Sequence, residues 1–119
     1  MRGQPFHAER IVDGDASTLT ALTLFKSGNA GDDTFELAAN QHLVVTDVYI
    51  QTEAGGDFAL VADSAAAGRY IAFGNVAANG GVVMHLNTPY TCPKGVTPKF
   101  QGPTTNRTAC IVHGWVQDA

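Results

Sequence analysis

Along this chain apolar residues recur at every second position over short stretches, and no stretch keeps the 3.6-residue spacing of an amphipathic helix. Runs of β-branched and aromatic residues are separated by clusters of Gly, Asn and Asp, the pattern of strands joined by turns. It predicts strands over 6–12, 18–26, 34–37, 42–52, 57–62, 69–73, 82–86, 96–101 and 107–116, with one helical turn capped by Asp63 over 63–68. In 42–52, Val44, Val48 and Ile50 share a face with Thr46 between them, which turns Tyr49 to the opposite side as a candidate exposed aromatic. In 57–62 the inward set is Phe58, Leu60 and Ala62; in 82–86 it is Val82, Met84 and Leu86, with Val83 and His85 outward. One apolar face per strand suits two sheets packed face to face.

The last strand departs from this rule. Cys110, Val112 and Val116 occupy one side, and Ala109, Ile111 and Trp115 the other. A strand apolar on both sides is either central and covered or part of a subunit interface, and the interface is the favoured reading. There is also an internal echo: Leu37-Ala38-Ala39-Asn40-Gln41 and Val76-Ala77-Ala78-Asn79-Gly80 each precede an apolar strand, as two corners built alike would. Together these features predict an all-β fold, a two-sheet antiparallel β-sandwich of about 8–9 short strands with jelly-roll-like winding. An up-and-down barrel is the alternative. At 119 residues one domain is expected, with 10–119 forming the sandwich and 1–9 a flexible arm, because Gly3 and Pro5 discourage regular structure at its start.

Composition narrows the functional classes. Charged residues make up 15% of the chain, well below the usual level, so much of the surface is neutral. That surface either meets another protein or is simply an Ala-, Gly- and Thr-rich exterior. The net charge is −4 and the seven basic residues are scattered, which disfavours nucleic acid as a partner. No run of apolar residues is long enough to span a membrane as a helix, and no apolar stretch follows Met1-Arg2-Gly3-Gln4-Pro5 as a secretory signal would require. Cys92 and Cys110 are too few for a zinc site and too far apart for a redox pair; free, mostly buried thiols are expected.

No constellation for catalysis is visible. The histidines His7, His42, His85 and His113 include no i, i+2 pair, so outward or interface positions are expected rather than metal ligation. Asp13-Gly14-Asp15 and Gly31-Asp32-Asp33 resemble calcium-loop fragments, but twelve positions on from Asp13 stands Leu24, not the closing Glu. The serines sit in turns without a nucleophile elbow, and Gly55-Gly56 and Gly80-Gly81 lack a following helix to bind phosphate. The expectation is a protein that is not an enzyme and holds no metal or cofactor.

The C-terminal half carries a family cadence. Leu86-Asn87-Thr88-Pro89 runs into Pro93-Lys94-Gly95-Val96, then a strand, a polar turn and the closing strand Cys110-Ile111-Val112-His113-Gly114-Trp115-Val116. Over roughly residues 36–117 this resembles the small jelly-roll decoration (cement) proteins of tailed bacteriophage capsids and trimeric TNF-like virion modules. The resemblance implies a non-enzymatic structural protein on the virion surface, self-associating as a trimer and binding the major capsid protein. Its candidate interface is Phe6, Ile111, His113 and Trp115. The alternative is a carbohydrate- or receptor-binding module of a tail fibre or surface protein, with Tyr49, Tyr70, Tyr90 and Trp115 as the rings available for stacking.

Overall fold

The computed structural model describes residues 3–27, 33–62 and 69–118. Among these residues nine strands form two antiparallel sheets: β1 Pro5–Asp13, β2 Thr20–Ala21, β3 Thr23–Lys26, β4 Gln41–Thr52, β5 Gly56–Val61, β6 Tyr70–Val76, β7 Gly80–Thr91, β8 Lys99–Gln101 and β9 Arg107–Asp118. The larger sheet has the order β3-β1-β9-β4-β7 and the smaller β2-β8-β5-β6. The partners nest, β1 with β9, β2 with β8, β4 with β7 and β5 with β6. That is one long antiparallel ribbon rolled over itself, the jelly roll that the strand-and-turn pattern anticipates.

Four expectations are revised. Residues 5–9 are not an arm: they form the first half of β1, paired with both β3 and β9, and Phe6 and Ala8 lie in the core. The run 18–26 divides at Leu22, whose N–H donates to the Pro98 carbonyl while β2 joins the smaller sheet and β3 the larger. Residues 34–37 form no strand but an isolated bridge to Phe25, and the Lys26 and Phe35 amides donate to Asp33 and Leu24. At the other end β7 runs through Thr91, well past residue 86. The turn expected over 63–68 lies outside the described residues.

Burial follows the alternation in β7, whereas in β5 Ala59 and Val61 are buried along with the inward set. Phe58, Leu60 and Ala62 are core residues, and Val82, Met84 and Leu86 pack against the core while Val83 points away. In β4 the alternation slips by one. Val45 pairs with Gly114 and Asp47 with the next residue, His113, so Thr46 is an extra residue bulged out of the ladder. As a result Val45, not Val44, joins Val48 and Ile50 in the core. Opposite the bulge, residues 86–89 of β7 arch away, because Val45 pairs with Tyr90 and Asp47 with His85. The two echoed corners share one turn: the Gln41 amide donates to Ala38 and the Gly80 amide to Ala77, both at 3.0 Å. Only Asn79 takes a positive φ there, of 56°, which an asparagine tolerates better than most residues.

Polar groups inside the sandwich find partners. Arg10, on the inward side of β1, donates from Nη1 to the Phe100 carbonyl (2.5 Å) and the Ala16 carbonyl (3.3 Å), tying β1 to the opposite sheet. Its partial burial lowers its pKa. Thr52 and Thr108, buried register partners on β4 and β9, share a hydroxyl hydrogen bond of 3.2 Å, and Thr52 also donates to Ala54. Cys92 and Cys110 are free and buried, and burial pushes both thiols up to about 12.

Candidate functional site

Strand register, rather than sequence spacing, assembles the most distinctive feature of the surface. Phe25, His7, His113, Asp47 and His85 are successive cross-strand partners over β3, β1, β9, β4 and β7, so one rung crosses the whole five-stranded sheet. The next rung carries Glu9, Ile111, Tyr49 and Val83. Since successive residues of a strand point to opposite faces, these positions two apart in each strand share the face turned away from the core.

The rings on this face touch in a row. His7 stacks on Phe25 with centroids 4.8 Å apart and planes 8° from parallel. His7 and His113 lie 6.1 Å apart and tilted. Tyr49 then meets His113 edge-on at 5.4 Å and His85 edge-on at 6.2 Å. Such tilted and edge-to-face pairs are the favourable geometries for aromatic rings. Five rings from five strands therefore form one band.

Asp47 is the carboxylate within this band. Its Oδ1 lies 2.5 Å from Nδ1 of His85, and its Oδ2 accepts the Thr46 hydroxyl at 2.8 Å. The His85 hydrogen bond, with the Thr46 one second, holds the Asp47 carboxyl below the usual carboxylate range. The bulge produces this arrangement: it brings the Thr46 hydroxyl beside Asp47 and also within 3.2 Å of the His113 carbonyl. Beside His7, Ser27 Oγ lies 3.5 Å from Nδ1, at the outer limit of a hydrogen bond. Among the described residues no group of three or more His, Cys, Asp or Glu side chains is placed to hold a metal ion.

Toward the other end of the face the rungs become small. Ile11, Ala109, Gln51 and Gly81 are register partners, and the short side chains of Ala109 and Gly81 leave a hollow of about 320 Å³. Tyr49, Val83 and Ile111 line it, together with Gln51 and Asn79. Beyond it the exposed Arg107 guanidinium donates to Asp13 at 2.8 Å and lowers the Asp13 pKa, a pair open to water that adds little to stability.

The residues expected from the sequence fall unevenly on this surface. Ile111, His113 and Trp115 all point outward from β9, which is central in its sheet, so their side of the strand is the outer face and the other side is core. Phe6 does not belong with them. It is 1% exposed, on the core side of β1 opposite Gly114, and an interface role for it is excluded by burial. Tyr49 is half-buried rather than exposed, because its ring is held between the His85 and His113 imidazoles. His7, Phe25, Asp47 and His85 were not anticipated as neighbours. Each lies on a different strand, and the trace in the sequence was the outward or interface position expected of the histidines. No protein-family model, curated protein or solved structure matches the chain.

Proposed function

We propose that this chain is a non-enzymatic structural protein of a tailed-phage virion, a decoration protein that self-associates, as a trimer in our reading, and docks on the major capsid shell. The observation that carries the proposal is the outer face of the larger sheet. It presents a ring band with half-buried Ile111 and Trp115 and exposed Ile11 and Val83 on a rigid platform. Aromatic-rich strand surfaces are suited to protein contact, since little rotamer freedom is lost on docking, and Asp47 and Asp13 on this face are already paired with His85 and Arg107. A specific contact needs about 800 Å² per partner, which a five-stranded face can supply. The jelly-roll winding agrees with the resemblance carried by residues 86–96 and 110–116.

The test is co-sedimentation of the purified protein with shells assembled from the major capsid protein of the same phage. Saturable binding is expected, weakened at least about tenfold by Trp115→Ala or Ile111→Glu, as for residues central to an interface. A protein that stays in the supernatant refutes the proposal.

One observation favours a second reading, a carbohydrate-binding module. The hollow beside Tyr49 lies within the size range of small-ligand sites, and Gln51 and Asn79 are among its lining residues. Binding on a glycan array, abolished by Ala109→Trp, supports this second reading; an array without signal removes it.

A further inference from the structure

The two sheet edges on one side of the sandwich, β6 and β7, stand apart from the rest of the molecule. On the opposite side the chain closes its own edge: β2 and β3 pass from one sheet to the other at Leu22, and residues 33–35 cover β3 with two backbone hydrogen bonds. On the β6–β7 side, among the described residues, no strand pairs with the outer edge of either. Neither strand contains Lys, Arg, Asp or Glu, in a chain that carries eighteen such residues and a net charge of −4. Natural sheets protect an open edge with charge, proline or irregularity, and of these β7 has only Pro89 and the arch at 86–89, beyond Val83.

Three of the four large apolar side chains that stand exposed in the described structure lie on these two strands: Phe73 (71%), Val83 (62%) and Tyr70 (44%). Phe73 and Tyr70 pack their rings against each other at 5.3 Å. The core itself is open along the same seam. Ile71 of β6 and Val82, Met84, Leu86 and Tyr90 of β7 pack on the core yet stay only partly buried. An apolar strip thus runs from Val83 on the outer face of the larger sheet, over the mouth of the core, to Phe73 on the smaller sheet.

We propose that this seam is where copies of the chain meet. The inference rests on the self-association included in the function proposed above and places it on named residues. Charge selects a second copy as the occupant. Two molecules of net charge −4 repel except where charge is absent, and a symmetric contact through the seam sets neutral apolar side chains against their own kind. A partner recognised by opposite charge would need a charged rim, and these strands provide none. Around a symmetry axis each copy contributes the same side, which covers Phe73, Val83 and the half-open core residues together.

The test compares sedimentation velocity of the full chain with that of Phe73→Asp/Val83→Asp and, as a control on the outer sheet face, Ile11→Asp. All three positions are largely exposed, so circular dichroism and thermal melts of the isolated chains should confirm the fold. The wild type and Ile11→Asp are expected as one defined oligomer at micromolar concentration, and the double variant as a 12.5 kDa monomer. A monomeric wild type, a double variant that still assembles, or dissociation by Ile11→Asp overturns the inference. Shell co-sedimentation run in parallel separates the two proposals: an oligomer that leaves shells bare sinks the capsid reading and leaves the seam contact standing.

Discussion

Replacing Phe6 with alanine separates a core role from an interface role in one experiment. The ring is 1% exposed and lies beside its register partner Gly114, where a built Cβ would come within 3.0 Å of Phe6 Cε1 besides striking the Val44 carbonyl. Emptying a fully buried phenylalanine site costs about 3–5 kcal/mol from lost burial and the cavity left behind. A domain of 119 residues has an unfolding entropy near 0.25 kcal/mol/K on the usual per-residue value, so the melting temperature should fall by about 12–20 °C. Total stability for this length is about 6–18 kcal/mol, and the variant should still fold in the cold. Urea unfolding followed by tryptophan fluorescence, repeated over a range of protein concentrations to separate folding from assembly, measures the loss at an unchanged m-value. A loss under about 1 kcal/mol accompanied by dissociation of the oligomer would return Phe6 to the interface and refute the placement.

Gly114→Ala should destabilise by about 2–3 kcal/mol or more, because the added methyl would strike the Val44 carbonyl in the middle of the larger sheet; a melting temperature within about 2 °C of wild type contradicts this. His85→Ala should raise the Asp47 pKa toward its ordinary value, read from the carboxyl carbon shift in an NMR titration. Because the folded-state value is depressed, the stability Asp47 contributes is present above the unfolded carboxylate pKa and is lost as pH falls through the folded one, so removing His85 should flatten the acid limb of stability against pH. An unmoved Asp47 titration refutes the pairing. Burial of both thiols with pKa values of about 12 predicts that Cys92 and Cys110 resist a thiol reagent at pH 8 until denaturant is added, and native labelling at the rate of a free thiol would show otherwise.

The strands were legible wherever one side faces water. Val82, Met84 and Leu86 announce their inward face by alternation alone, with Val83 and His85 outward, and short strands separated by turn clusters point to a sandwich. What sequence could not convey is register. The bulge at Thr46 has no compositional signature, so the count of alternate residues carried Val44 inward when Val45 belongs there. The ring band escaped for the same reason: His7, Asp47, His85 and His113 are distant in sequence and become neighbours only through long-range strand pairing. Phe6 was misplaced because Gly3 and Pro5 suggested an irregular start, whereas Pro5 can open a strand whose first residue donates no ladder hydrogen bond.

The rolled-ribbon pairing also constrains how the molecule comes into being. β9 lies between β1 and β4, and neither of those strands touches the other without it. Until residues 107–118 have left the ribosome, β1 and β4 each keep one vacant edge, although the local β1–β3 and β5–β6 pairings and the β4–β7 pairing do not need them. Chains cut short before β9 should therefore aggregate through these open edges, and the joining of the two halves of the larger sheet is a late event.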